Sequence, residues 1–273
     1  MNLIRISTTD RYNEIVIQYR RKNCFTNDFL HREVFSLVKD GKLYECCLRD
    51  NAFLFVKKDV GLRLYYYLND INSIVDFDIE EDLATEILFR GDVAFPKEEI
   101  DYLLRCGFKK HILRDQYSAI YKDIQLTHYD IPGLEIYLAK TIDEIEYAVN
   151  LFNQTFDKYT GNFIPLCECK KLFDDKCILV AKLDEKYAGA MHFKREGKLI
   201  WAEHNVVENW CRGQHVGSML CNAFIETAKM DDNTRYTRWT QHAGQAAKMY
   251  EKLGFMYVNK SSFSMLKLYN NTI

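Results

Sequence analysis

Glycine and proline are scarce in this sequence, with 12 and 3 among 273 residues. That scarcity excludes collagen-like repeats and Pro/Gly-rich low-complexity segments. A charge excess is also missing: 37 Lys and Arg face 39 Asp and Glu, a formal net charge of −2. Duplex nucleic acid and anionic membranes normally require a basic surface, so neither is expected as a partner. The longest uncharged apolar runs fall well short of the roughly 20 residues of a membrane span. The opening MNLIRISTTDRYNE has no apolar core and no small-residue cleavage site, unlike a signal peptide, so a cytoplasmic location is expected.

What remains is a composition suited to packed domains. It is 48% hydrophobic, 14% aromatic and 28% charged, which excludes global disorder. The length accommodates two domains of about 130–140 residues each. Cysteines at 24, 46, 47, 106, 167, 169, 177, 211 and 221 are odd in number and irregularly spaced. Without an export signal they read as free thiols in a reducing compartment. Cys167 and Cys169 form a close pair, but no second Cys or His pair stands at ligand spacing, so no metal is expected.

The chain repeats a pattern. Pro132-Gly133 separates two patterned regions, with 19 basic and 22 acidic residues up to that point and 18 and 17 after it. Before the boundary, Thr85–Arg90 reads as a strand and Pro96–Cys106 as a helix with Ile100, Leu103 and Leu104 on one face. Gly107-Phe108 ends that helix, and Gln116–Tyr121 alternates as a strand. After the boundary, strand Arg235–Thr240, helix Gln245–Leu253, Gly254-Phe255 and strand Phe263–Leu268 follow in the same order. The two Gly-Phe pairs lie 147 residues apart, each where glycine permits a left-handed cap. Ahead of the second copy come a helix over 142–156 and strands over 177–182, 187–193 and 199–207. A meander followed by alternating helices and strands predicts an α/β fold built on a mixed, mostly antiparallel sheet flanked by helices.

The segment from Leu199 to Met230 carries the chemistry. A strand ends at Val206-Val207, a Gly-containing turn follows, and a helix opens near Gln214–Ser218. Such a turn leaves backbone N–H groups unpaired at the positive end of a helix, a setting for a pyrophosphate, and Arg212 adds a charged donor.

These residues resemble the GNAT-type N-acetyltransferases, whose acetyl-CoA loop reads Arg/Gln-x-x-Gly-x-Gly/Ala after the fourth strand. The match is Arg212-Gly213-Gln214-His215-Val216-Gly217, followed by Ser218. The second marker, Ala-x-x-x-Tyr-x-x-x-Gly-Phe, is matched by Ala246 to Phe255 with Tyr250 at its centre. The motif departs at two positions: His215 replaces the first glycine, and Ala243 stands where an Asn often precedes the helix tyrosine. The resemblance covers about 134–273. It implies an acetyl-CoA-binding GNAT domain there and a degenerate copy over 1–131 without a cofactor loop.

The resemblance further implies direct transfer of an acetyl group from acetyl-CoA, as co-substrate, to a primary amine of a small molecule or peptide. Val206 and Val207 would flank the pantetheine arm, and the loop from Arg212 to Ser218 would hold the phosphates. Tyr250 would protonate the departing thiolate, and Glu203 or His204, on the strand before the loop, would accept the amine proton. Strand alternation sends those two to opposite faces. Gln241 and His242 end the next strand and face the same gap by spacing alone. The two departures keep a CoA-binding module without turnover as an alternative, and an aminoacyl or longer-acyl transferase is a second. The acidic run Asp76–Asp82 reads as a solvated turn and helix start.

Overall fold

The computed structural model describes residues 1–91, 95–160 and 163–269. They form two compact units, one of residues 1–113 and 260–273 and the other of residues 114–259.

The first unit opens with β1 (Ile4–Arg5) and α1 (Thr9–Tyr19), whose first turn is fixed by the Thr8 hydroxyl accepting from the Arg11 N–H. Next come β2 (Phe25–Thr26), α2 (Val34–Lys39), β3 (Leu43–Cys47), β4 (Asn51–Lys57), β5 (Leu62–Leu68), β6 (Leu83–Phe89), α3 (Lys97–Arg105) and the first part of β7 (Lys109–Ile120). The strands β1, β3, β4 and β5 pair antiparallel, whereas β5 and β6 run parallel and pair only at Leu62↔Leu83 and Arg63↔Ala84. β4 is buried along six of its seven residues, because both faces are covered. Ile15, Tyr19 and Leu37 of α1 and α2 pack on Leu54 and Val56, while Ile100 and Leu103 of α3 pack on Phe53 and Phe55 from the other side.

The second unit follows a similar order, with a helix added between its two parallel strands. It continues with β8 (Leu134–Leu138), α4 (Ile142–Thr155), α5 (Cys169–Asp174), β9 (Ile178–Leu183), β10 (Lys186–Glu196), β11 (Leu199–Val207), α6 (Val216–Ala228), β12 (Arg235–Gln241), α7 (Gln245–Lys252) and β13 (Met256–Lys267). A Thr again caps the first long helix, Thr141 accepting from the Glu144 N–H at 3.2 Å. β8 to β11 pair antiparallel, and β11 and β12 run parallel. α4 and α5 cover one face, and α6 and α7 the other.

The units are not the sequence halves divided at Pro132-Gly133. Each takes its last strand from the other half of the chain. Arg114–Ile120 pairs antiparallel with β12, and Ser261–Lys267 pairs antiparallel with β6. The strand expected to close the second half therefore completes the first unit, where Phe263 and Met265 enter the core with Leu103 and Phe108. The physical requirement is met either way, because β6 and β12 each need a partner on their open edge. The acidic run also differs from expectation: Asp76–Asp82 holds no helix and leads directly into β6.

Both Gly-Phe pairs do their helix-ending work in the left-handed region, Gly107 at φ +87 and Gly254 at φ +92. They differ in what surrounds them. A Cβ at Gly107 would meet only the flexible Lys267 side chain at 3.5 Å, whereas one at Gly254 would stand 2.7 Å from the Asp123 carbonyl oxygen. Gly107→Ala is expected to cost about 1 kcal/mol through φ alone, and Gly254→Ala about 2 kcal/mol or more because backbone must move as well. Urea titrations of the two variants check that order.

Candidate functional site

In the second unit, β11 and β12 pair only at Leu199↔Arg235, Ile200↔Tyr236 and Trp201↔Thr237. Beyond these residues the strands part. β11 continues against β10 alone and β12 against β7 alone, which leaves a slot from Glu203 to Val207 on one side and from Arg238 on the other.

A cavity of about 570 Å³ occupies this region, lined by Val207, Arg212, Gly213, His215, Val216, Gly217, Ser218 and Tyr250, with Tyr129, Asn205, Arg238, Lys248 and Lys252 among its other walls. The sequence-predicted loop and the helix tyrosine thus meet around one space. Gln214 does not line it, and Val206 turns to the opposite face, into the core under α4.

The loop is shaped for an anion. The amides of Ser218 and Met219 both donate to the His215 carbonyl, and Gln214 donates to Cys211. Those of Gly213, His215, Val216 and Gly217 have no partner among the described residues, and no side chain caps α6. They stand at the positive end of a 13-residue helix. Arg212, Lys248 and Lys252 supply cations around the same cavity. His215, at the departed glycine position, adopts φ +64, the left-handed conformation a glycine would supply. Its ring stacks on Tyr129 in the cavity wall, 3.8 Å between centroids and 9° between planes. Gly217 sits close to Val207: a Cβ there would lie 3.2 Å from Val207 Cγ2, a tight contact that the valine would have to yield to by a few tenths of an ångström.

Tyr250 is fully buried, edge-on to Phe255 and beneath the Arg238 guanidinium, whose carbon lies 3.8 Å from the ring centroid. Asn205 Nδ2 donates to the Gly217 carbonyl at 3.2 Å and approaches the Tyr250 hydroxyl at 3.5 Å. The Asn205 Oδ1 is buried without a hydrogen-bond partner. It is an acceptor set into the wall of the slot, suited to an amide N–H such as a pantetheine arm carries.

Glu203 and His204 are separated by a register shift. His192 pairs with His204 and Phe193 with Ala202, so Glu203 is the additional residue of a β-bulge. Ala202 packs in the α6 core while His204, two residues on, stacks on Phe152 of α4 at 4.8 Å. His204 is 3% exposed, 3.3 Å from His192 Nδ1, and Phe156 lies 4.9 Å from its ring. Burial pushes the His192 imidazole down to about 4. Neither Glu203 nor His204 lines the cavity. Gln241 and His242 lie outside it as well; His242 Nδ1 sits 2.6 Å from Asp115 Oδ2.

Sequence reasoning missed Tyr129, Asn205 and Arg238. For Arg238 a signal existed: in Arg235-Tyr-Thr-Arg-Trp-Thr240 it shares a strand face with Tyr236, so a charge is directed inward. Tyr129 comes from the stretch before the second repeat and carried no signal.

In the first unit the equivalent slot is closed by the chain itself. No helix lies between β5 and β6. The buried Asn27 side chain spans the opening, donating to the Leu64 and Glu86 carbonyls and to Thr85 Oγ1 and accepting from the Tyr66 N–H.

All nine cysteines are free. Among the described residues, no group of His, Cys, Asp or Glu is arranged to hold a metal, and no helix is long and apolar enough to cross a membrane.

Residues 174–257 match the family model described as an acetyltransferase (GNAT) domain. Among solved structures, a GCN5-related N-acetyltransferase from Sphaerobacter thermophilus is 10% identical with a TM-score of 0.59, covering 88% of this chain and 87% of its own. One from Kribbella flavida is 13% identical, TM-score 0.54, covering 86% and 92%. A tandem GNAT protein from the clavulanic acid biosynthesis pathway is 10% identical, TM-score 0.53, covering 85% and 83%. No curated protein matches the chain by sequence. The chain thus has the fold of the GNAT acetyltransferases, and its residues 174–257 match that family's domain model.

Proposed function

We propose that this chain is a tandem GNAT N-acetyltransferase, moving the acetyl group of acetyl-CoA directly to a primary amine at a single site in its second unit. The carrying observation is the run of unpaired amides at the start of α6, opening into a cavity that ends at Tyr250. The phosphates of the co-substrate fit the loop and its cationic surround, and the pantetheine arm fits the slot beyond Val207. Attack of the neutral amine on the thioester carbonyl forms a tetrahedral adduct. Its collapse forms the amide and expels the CoA thiolate, which takes the Tyr250 proton.

Glu203 accepts the amine proton in this reading. It stands just past the last β11–β12 pair, and its charge reaches Arg238. His204, sealed against Phe152 and Phe156, packs the opposite face. The first unit has no co-substrate role, because Asn27 occupies the corresponding slot. The acceptor is a small-molecule or peptide amine, neither nucleic acid nor membrane is involved, and the protein acts in the cytoplasm.

Calorimetry with acetyl-CoA tests the reading. One binding event per chain is expected, and Arg212→Ala should weaken it about tenfold through loss of a charged donor to phosphate. No binding at millimolar acetyl-CoA would overturn the proposal, and two sites per chain would overturn the inert role of the first unit.

A further inference from the structure

The cavity contains a charge that acetyl transfer does not use. Arg238 is 6% exposed and lines the inner part of the cavity beside Tyr250 and Asn205. Its Nε and Nη1 are buried with no hydrogen-bond partner. One face of the guanidinium rests on the Tyr250 ring, which provides a cation–π contact but leaves the Nε and Nη1 donors unmet. A buried charge with unmet donors carries a large desolvation cost. That cost lowers the Arg238 pKa to about 10, with Cys221 and Glu203 only partly opposing it.

We infer that Arg238 binds a substrate carboxylate. The inference rests on the reading above that this cavity takes a CoA thioester. The Nη1–Nη2 end of a planar guanidinium presents parallel donors at the spacing of two carboxylate oxygens, and here Nη1 has no partner. An acetyl group offers no such anion, and the phosphates are accommodated by the loop at the start of α6. The carboxylate therefore comes with the reacting groups. It is either the terminus of a dicarboxylic acyl group, such as the succinyl of succinyl-CoA, or a carboxylate of an amino acid acceptor. Transfer itself is unchanged: the C–S bond breaks, the C–N bond forms, and the second carboxylate passes through intact.

Two arms separate the sources. In the first, calorimetry compares succinyl-CoA with acetyl-CoA. In the second, turnover compares lysine with cadaverine, which differ by the carboxylate. Each arm is run on the native chain, Arg238→Gln and Arg238→Lys, with thermal melts confirming that the variants fold. The expected result is a preference of about tenfold or more for the carboxylated member in one arm. Arg238→Gln abolishes that preference, and Arg238→Lys keeps part of it. Preference in the first arm assigns the acyl group, and preference in the second assigns the acceptor.

If CoA thioesters bind but neither arm shows a preference, or if the preference survives in Arg238→Gln, the inference is overturned and the proposed function stands. If no CoA thioester binds at all, both are overturned. An unfolded Gln variant still leaves the native preference and the Lys variant as tests, and absence of a native preference is sufficient to reject the inference.

Discussion

Replacing Tyr250 by Phe is expected to lower kcat about 100-fold while leaving KM for acetyl-CoA within a few-fold of the native value. The difference corresponds to about 2.7 kcal/mol of transition-state stabilisation. The separation of the two constants follows from what the side chain touches. Its ring is fully buried against Phe255 and beneath Arg238, and Phe preserves both contacts. Only the hydroxyl is lost, and its neighbour Asn205 Nδ2, 3.5 Å away, keeps its bond to the Gly217 carbonyl. The unpaired amides lie just before and at the start of α6, away from the Tyr250 hydroxyl, and are unaffected. Folding and co-substrate binding should therefore persist while the departing thiolate loses its proton donor. Steady-state kinetics and calorimetry on the same preparation check this, and a kcat within twofold of native would remove Tyr250 from the mechanism.

The parts of this site legible in the sequence were those written in backbone chemistry. Gly213, Gly217 and the turn before α6 mark a loop of unpaired amides, because positive φ at Gly213 and the close approach at Gly217 restrict the residues allowed there. Gly107 and Gly254 revealed the repeat for the same reason, and the helix over 142–156 was visible in its apolar spacing. What lay hidden depends on long-range pairing. Gln116–Tyr121 and Phe263–Leu268 each read as the last strand of their own half, whereas Arg114–Ile120 pairs with β12 and Ser261–Lys267 with β6; alternation cannot tell which open edge a strand will satisfy. The bulge at Glu203 was equally invisible, because one additional residue changes the register without changing composition. The closing of the first slot by Asn27 depends on four hydrogen bonds to strands between 37 and 59 residues away, and a lone Asn in a polar stretch gives no sign of them.

A second large effect is expected in the first unit, from a carboxyl that the proposed chemistry does not use. Burial raises Glu99 from the ordinary 4.5 to about 7, and the Tyr66 hydroxyl, donating to Oε1 at 3.0 Å, opposes that rise only in part. The folded chain therefore holds this proton through a range in which the unfolded chain has released it. Stability changes with pH as the protons bound by the unfolded state minus those bound by the folded state, which is negative here between about 4.5 and 7. The contribution of Glu99 is thus harmless below pH 4.5, grows as a penalty through that window, and is constant above about pH 7. A displacement of this size corresponds to about 3 kcal/mol. Glu99→Gln should match the native chain at pH 4.5 and exceed its stability by up to that amount at pH 8, since the amide oxygen still accepts from Tyr66 and carries no charge. Urea unfolding of both proteins at several pH values measures the gap, and a gap that stays constant from pH 4.5 to 8 would show that the Glu99 carboxyl ionises alike in the folded and unfolded chain.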